Sequence, residues 1–268
     1  MRRKPSVAGY FYPYRPEELK EKVGEMVCLE GKKEKAICLI SPHAGFEYSG
    51  SVAGAVFSSA YLPNKFIILG PSHRSVKSRY AIMKEGVWET PLGDVMIDTP
   101  LAEAVMSHCN FIVEDNSAHI NEHSIEVQIP FIQFFKKDIS IVPLSISYYT
   151  SYEELEELGN AISQGIKQIK EEVMIIASTD MSHYVSQEVA KKKDFLAIDR
   201  ILDLDSKGLY DIVSFEDISM CGFQPVTAAL VASKKSGAAK AVLVKYQTSG
   251  DVTGNYDEVV GYAGIRIG

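Results

Sequence analysis

The chain lacks several features that would assign it at once to a class of protein. No apolar stretch approaches the roughly 20 residues that a membrane-spanning helix needs, so no membrane role is expected. Lysine and arginine number 28 against 35 aspartates and glutamates, a net charge of −7, so no general basic field attracts nucleic acid. The basic start "MRRK" is not followed by the apolar core of a secretory signal.

Cysteine is scarce: the four cysteines are scattered and form no C-x-x-C pair. A disulfide framework is therefore not expected, and a reducing cytoplasm is the expected setting. Cys221 differs from the others because Gly222 and a helix opened by Pro225 follow it. A helix N-terminus lowers the pKa of a thiol, so Cys221 is a candidate metal ligand or nucleophile. The alternative for Cys221 is a buried, unreactive cysteine, which is the expectation for Cys28, Cys38 and Cys109.

The 268 residues are 46% apolar and 24% charged, an ordinary globular balance. No repeat or long Pro/Gly/Ser-rich linker marks a boundary, so we predict one domain over residues 1–268. Short apolar runs, several of them β-branched and ending at Pro, Gly or Ser, predict buried strands. They lie at 36–41, 65–70, 139–146, 173–178, 241–247 and 259–267.

Helical patterns lie between these runs. Apolar residues at spacings of three and four predict a helix over 151–170, and Ser151 with Glu154 forms a capping box at its start. Further helices are expected at about 187–205, at 225–236 and, from weaker patterns, at 49–60 and 123–136, while 86–98 is typical of a hairpin. The alternation predicts an α/β fold, with a mixed, mainly parallel sheet flanked by helices on both faces.

Three histidines follow predicted strands closely: His43 in "LISPHAG", His73 in "IILGPSHR" and His183 in "MIIASTDMSH". Ligands of open α/β sheets bind at the carboxyl ends of the strands. If the three strands are neighbours, the imidazoles meet at one edge and form either a metal site or an acid–base site. Separate surface histidines are the alternative.

A local pattern at "HINEHSIEVQIP" (119–130) needs care. His119, Glu122 and His123 fit the H-x-x-E-H arrangement of inverted zinc peptidases. No helix clearly begins before His119, so the pattern does not favour a peptidase. We expect instead that His123 and Glu126 start a helix and line the rim of the pocket by hydrogen bonding.

Seven phrases follow one another along the chain: "RKPSVAGYFYP", "SPHAGFEYSGSVAG", "LGPSHR", "TPLGDVMID", "NEHSIEVQIPF", "STDMSHY" and "CGFQPV". Taken together, they resemble the Memo family, over nearly the whole length of the chain. The family is similar in fold to class III extradiol ring-cleaving dioxygenases, which are non-haem iron enzymes. The resemblance also implies possible protein partners of the radical-SAM and AMMECR types.

The resemblance implies a metal site made of His43, His73 and Cys221. It places Asp180 and His183 where the dioxygenases keep a histidine suited to acid–base work. Those enzymes use two histidines and a carboxylate on Fe(II), whereas a cysteine stands in the carboxylate's place here. A thiolate is softer and favours copper or zinc as well as iron, which puts ring cleavage in doubt; iron or copper is expected first and zinc is a further candidate.

Three functions are left open. The first is a metal-dependent redox enzyme in which His183 transfers protons and Asp180 orients it. The second is a non-catalytic metal-binding or signalling scaffold whose strand-end pocket takes a small molecule or a peptide. The third is a thiol hydrolase with Cys221 as nucleophile and His43 or His73 as base.

Overall fold

The computed structural model describes residues 1–28, 30–73 and 78–268; Arg74, the last residue of the "LGPSHR" phrase, lies outside them. The strands in this part of the chain are β1 (Arg2–Arg3), β2 (Cys38–Ser41), β3 (Lys65–Pro71), β4 (Tyr80–Ile82), β5 (Val87–Thr90), β6 (Gly93–Ile97), β7 (Ile112–Glu114), β8 (Ser140–Ile146), β9 (Val173–Ser178), β10 (His183–Val185), β11 (Ala241–Thr248) and β12 (Val259–Ile267). The helices are α1 (Pro16–Met26), α2 (Phe46–Ser58), α3 (Thr99–Met106), α4 (Ser117–Ile120), α5 (Ile129–Phe135), α6 (Tyr152–Ile169), α7 (Gln187–Leu202), α8 (Ser206–Phe215), α9 (Phe223–Lys235) and α10 (Gly250–Thr253).

One mixed sheet runs through the molecule. Its main path has the order β1-β5-β6-β8-β3-β9-β2-β12-β10, with β11 paired to β12 and β4 paired to β7 and β8. Strands β6, β8, β3, β9 and β2 are parallel neighbours, while β12 runs antiparallel to β2 and β11. The predicted mixed, mainly parallel α/β fold is confirmed.

Two hydrophobic clusters lie on the two faces of this sheet. The first contains Ile67 of β3 and apolar residues of α3, α6, α7, α8 and α9. The second contains the next residue, Ile68, with residues of α1, α2 and α5. Successive residues of a strand point to opposite faces, so a strand covered by helices on both sides is apolar along its whole length. This explains why β3, β8 and β9 appear in the sequence as unbroken apolar runs.

The six predicted strands and the hairpin are present, the latter as the antiparallel pair β5–β6. Helix α6 begins with the expected capping box, in which Ser151 and Glu154 bond each other's backbone N–H groups. The expected helices are present with altered bounds: α2 begins at Phe46 and not at residue 49, and α9 begins at Phe223 and not at residue 225. The chain over 123–136 forms a 3₁₀ turn, Glu126–Gln128, before α5, and the helix expected to reach residue 205 ends at Leu202. Helices α1, α3 and α8 were not predicted.

Candidate metal centre

Parallel pairing brings His43 and His73 to the same side of the sheet, at the carboxyl ends of the strands. Strands β2 and β3 both pair with β9, so β9 lies between them. His43 follows β2 by two residues and His73 follows β3 by two residues. The centroids of their rings are 5.2 Å apart. The predicted meeting of these two imidazoles at the strand ends is confirmed.

His123 joins them from a different part of the chain. Its ring stacks on that of His73, with centroids 4.6 Å apart and planes at 23°, and its centroid lies 5.5 Å from that of His43. One ligand atom from each of the three histidines lies within 4.8 Å of the other two. His123 was expected at the pocket rim, but the structure places it in the group that can hold a metal ion, whereas Cys221, expected as the third ligand, is not a member of that group among the described residues. In the sequence, only the position of His123 next to Glu122 could have indicated that it belongs to this group.

The surroundings of His43 fix which of its ring nitrogens carries the proton. Nδ1 lies 2.9 Å from the Ser178 hydroxyl, which donates its own proton to the Ser124 carbonyl. Nδ1 of His43 must therefore donate, which leaves Nε2 with a free lone pair. His43 is 2% exposed, and this burial, aided by the nearby His73 and His123, holds its pKa well below the usual value. A neutral imidazole with a free Nε2 is the form that binds a metal.

Glu122 has the same effect on His73. The Nδ1 of His73 donates to Oε1 of Glu122 over 3.0 Å, so its Nε2 is turned away from the carboxylate. Burial opposes protonation of His73, but the hydrogen bond and charge of Glu122 outweigh it and raise the pKa of His73. Burial alone would likewise raise the pKa of Glu122, but His73 and the backbone N–H of Ser124 hold it well below its usual range.

Cys221 lies directly beside His43, with Sγ 3.3 Å from Nε2. Gly222 makes this approach possible, because a Cβ there would lie 2.4 Å from the Ser178 carbonyl oxygen. The expectation that the helix N-terminus lowers the thiol pKa is wrong for the metal-free protein. Burial and the charge of Asp180 raise the pKa of Cys221 instead, so a metal would have to displace the thiol proton.

Asp180 has a different role from the one expected. One of its carboxylate oxygens accepts the backbone N–H of His43 over 2.8 Å, and its own N–H donates to Sγ of Cys221 over 3.3 Å. Burial raises the pKa of Asp180 to about 6, against the opposing bonds from the His43 turn. Asp180 therefore orients the His43 turn and Cys221. The expectation that it orients the imidazole of His183 is wrong.

The expected turn from Asp180 back to His183 does not form. Met181 bonds to Gly261, and the Ser182 N–H donates to Asp194, so the chain runs directly into β10. His183 Nδ1 donates to the Ser219 carbonyl over 2.8 Å, which leaves Nε2 as its reactive nitrogen. Its ring is half-buried and outside the group of three stacked or touching histidine rings.

The expectation that Glu126 lines the pocket rim is also wrong. Glu126 is fully buried and forms an ion pair with buried Arg3. It also accepts from the backbone of Ser6 and from the Tyr12 hydroxyl. A carboxylate with this many donors can remain charged in the core, and it fastens the N-terminal segment beside the site. Phe11 of that segment lies against His123, with ring centroids 4.9 Å apart.

The H-x-x-E-H pattern does not form a peptidase centre. His119 is completely buried and packs against Trp88, with ring centroids 5.8 Å apart. The ring of His123 lies near those of His43 and His73. Glu122 accepts hydrogen bonds from the backbone N–H groups of His73 and His123. Helix α4 ends at Ile120, so His119 and His123 do not share one helical face as two zinc ligands of that class would.

The fold and the carboxyl ends of the strands define the class: an α/β protein with a group of imidazoles that could hold a metal ion and a thiol beside it. The chain belongs to the Memo-like protein family, whose family model matches residues 3–266. It is 42% identical to a MEMO1 family protein of Pyrobaculum arsenaticum over 98% of both chains. It is 39% identical to a MEMO1 family protein of Methanopyrus kandleri, over 99% of this chain and 98% of that one.

The same fold occurs in a solved structure of low sequence identity. An uncharacterised protein of Escherichia coli K12 superposes with a TM-score of 0.54 at 11% identity, over 85% of this chain and 99% of that chain. This likeness shows the fold alone. Among the described residues, no helix is long and apolar enough to cross a membrane.

Proposed function

We propose that this chain is a metal-dependent redox enzyme, in which His43, His73 and Cys221 hold an iron or copper ion. The observation that supports the proposal best is the convergence of donors around His43. Its Nε2 faces Sγ of Cys221 at 3.3 Å, and its ring lies 5.2 Å from that of His73. Imidazole nitrogen and cysteine sulfur suit copper, iron and zinc.

His123 is a further donor in reach of the same ion. Its ligand atom lies within 4.8 Å of those of His43 and His73. A set of three imidazoles and one thiolate is full for a tetrahedral metal such as zinc. A set without His123 leaves a position for a substrate. Whether His123 ligates therefore separates a closed structural site from an open reactive one.

A bound redox metal would supply one-electron chemistry or polarise a substrate at this edge of the sheet. The chain's own residues perform the rest. Ser178 and Glu122 orient two imidazoles, and Asp180 holds the His43 turn. His183, whose Nδ1 bonds the Ser219 carbonyl, presents Nε2 for moving a proton to or from a substrate.

A non-catalytic metal-binding scaffold is the second candidate. Tyr148, Tyr149 and Tyr184 are 62%, 89% and 76% exposed. Tyr148 and Tyr149 follow β8, and Tyr184 lies in β10 next to His183, with ring centroids 5.9 Å apart. Exposed tyrosines are enriched where proteins bind one another, so this rim favours a peptide or protein ligand in the scaffold reading.

A thiol hydrolase is supported by one distance only. The 3.3 Å contact of Cys221 Sγ with His43 Nε2 has the length expected of a cysteine–histidine pair. The same thiol is half-buried beside Asp180, and its pKa is raised. A nucleophilic cysteine needs the opposite environment, so the metal site is the better reading.

Metal analysis of freshly purified protein, followed by oxygen uptake with catechol-like and thiol substrates, tests the proposal. We expect one metal ion per chain and oxygen uptake by the loaded protein with at least one substrate class. Bound metal with no uptake across the panel would support the scaffold. A protein that binds no metal but is inactivated by thiol alkylation in a hydrolase assay would support the third candidate.

A further inference from the structure

One buried carboxylate joins the two segments that provide His73 and His123. Oε1 of Glu122 accepts from His73 Nδ1 at 3.0 Å, from the His123 backbone N–H at 2.8 Å and from that of Ser124 at 2.9 Å. Oε2 accepts the His73 backbone N–H at 2.7 Å. Glu122 is 2% exposed, so these bonds form away from the competition of bulk water.

The core holds Glu122 in turn. The guanidinium of Arg3 donates to the backbone carbonyls of Glu122 and His119 while it pairs with Glu126. Arg3 also lies 4.1 Å from the centre of the Trp88 ring. The backbone of Glu122 is therefore held by Arg3 in addition to the bonds that its carboxylate accepts.

We propose that Glu122 is the positioning residue of the metal centre: it orients His73 as the Nδ1–H tautomer and keeps the His73 and His123 rings stacked toward His43. The inference rests on the proposed function for its metal, but not for its geometry. Without the carboxylate, the His73 ring can rotate or exchange its proton between nitrogens, and a ring with Nε2 protonated offers no lone pair there. Partners of this kind are worth about 10–100-fold in metal affinity.

Glu122→Gln is the sharpest variant because it keeps the shape of the side chain. If the amide oxygen takes the place of Oε1, the NH₂ group faces the His73 backbone N–H; if it takes the place of Oε2, three donors lose their acceptor. Either orientation leaves a buried donor unpaired. Asp98→Asn is the matched control, since Asp98 is a buried carboxylate bonded to Lys65 and Ser140, at the start of β8 and so at the other end of the strands.

Two measurements decide the proposal. Long-range ¹H–¹⁵N NMR of the metal-free protein, at a pH at which His73 is neutral, reads the tautomer of His73, and chelator competition reads the affinity for Fe²⁺, Cu²⁺ and Zn²⁺. We expect Nδ1–H in wild type, a mixture of tautomers in Glu122→Gln, and affinity lowered about 10–100-fold in Glu122→Gln but unchanged in Asp98→Asn.

A wild-type His73 that is mainly Nε2–H would overturn the proposal without any variant, and this reading decides it if Glu122→Gln does not fold. Unchanged tautomer and affinity in a folded Glu122→Gln would also overturn it. If wild type binds none of the three metals while Glu122→Gln still mixes the tautomers, the proposed function fails and the positioning role stands.

Discussion

At the scale of single residues, hydrogen-bond acceptors decide which histidine nitrogens face the site. A hydroxyl whose proton is already donated, a carboxylate and a backbone carbonyl each accept from Nδ1, in His43, His73 and His183 respectively. Each acceptor leaves Nε2 as the free nitrogen. Each of these three imidazoles is thereby held in one orientation.

Cys221→Ser tests the thiolate as a ligand. Serine has nearly the same size but binds soft metals poorly, so we expect tight metal binding to be lost while the fold is kept. The measurement is the optical spectrum of the Co²⁺-loaded proteins. Wild type should show the thiolate-to-cobalt charge-transfer band and Cys221→Ser should lack it. The same band in both proteins would assign the sulfur elsewhere.

His183→Ala separates proton transfer from metal binding. His183 lies outside the group formed by His43, His73 and His123, so the variant should retain its metal. Turnover of the loaded protein should fall by about 10²–10⁴-fold, as is usual on removal of a general acid or base. Metal content and turnover are measured on one preparation. Loss of both together would place His183 among the ligands.

At the residue scale, the sequence allowed some of the site to be predicted and not the rest. His43 and His73 could be found because each closely follows an apolar run that ends at Ser or Gly before a proline. The roles of Ser178 and Glu122 and the position of His123 in the group could not be predicted. They depend on contacts between segments 49 to 135 residues apart. Asp180 was assigned to His183 from sequence proximity, and the direct path into β10 separates them.

At the scale of elements, the site depends on how closely α9 approaches the end of β9. The Gly222 N–H donates to the Thr179 hydroxyl, and Cys221 Sγ accepts from the Asp180 N–H. A Cβ on Gly222 would lie 2.4 Å from the Ser178 carbonyl and 2.7 Å from Cβ of Thr179. Both neighbours include backbone or branched atoms that cannot move freely, so this contact fixes the position of Cys221.

Gly222→Ala should therefore force α9 away from β9. We expect a loss of about 1–3 kcal/mol in the free energy of unfolding, as for other overpacked sites, together with weaker metal binding. Gly24→Ala is the control: it lies in α1, where an added Cβ meets Phe134 at an ordinary 3.6 Å. The control should be neutral or stabilising. Urea denaturation measures the free energy of unfolding of both variants. A Gly222→Ala protein as stable as wild type would contradict the packing argument.

At the scale of the whole molecule, the two ends of the parallel strands have different roles. The carboxyl ends hold the site, whereas the amino ends of β3 and β8 are joined by charge. Asp98 accepts from Lys65 at 2.8 Å, from Ser140 at 2.8 Å and from the first turn of α3 at Leu101. Burial alone would raise the pKa of Asp98, but the hydrogen bonds from Lys65 and Ser140 outweigh it and lower the pKa.

This lowered pKa gives a prediction for acid stability. Because the folded state holds Asp98 ionised more strongly than the unfolded state does, its contribution is complete above the unfolded pKa of about 4 and is lost as the pH falls through the folded value. Asp98→Asn should cost about 1–3 kcal/mol near pH 7, with the difference from wild type shrinking below about pH 4. Denaturation of both proteins across pH measures this. A difference independent of pH would contradict the assignment.

The fold at this scale was largely predictable, since each face of β3, β8 and β9 meets helices and the strands are apolar throughout. Helices α1, α3 and α8 were not predicted, because short amphipathic segments beside polar loops give a weak periodic signal. The order of the strands was not predicted either. It depends on pairing between distant segments, such as β3 with β8 and β9.

The central claim is that His43, His73 and Cys221 hold one metal ion. Anomalous diffraction at the metal absorption edge, from crystals of protein loaded with iron, copper or zinc, tests it most directly. The account predicts one peak per chain at this edge of the sheet, bonded to Nε2 of His43, Nε2 of His73 and Sγ of Cys221 at about 2.0–2.3 Å. A peak bonded to the three imidazoles with Cys221 outside bonding distance, or no peak at this edge, would contradict it.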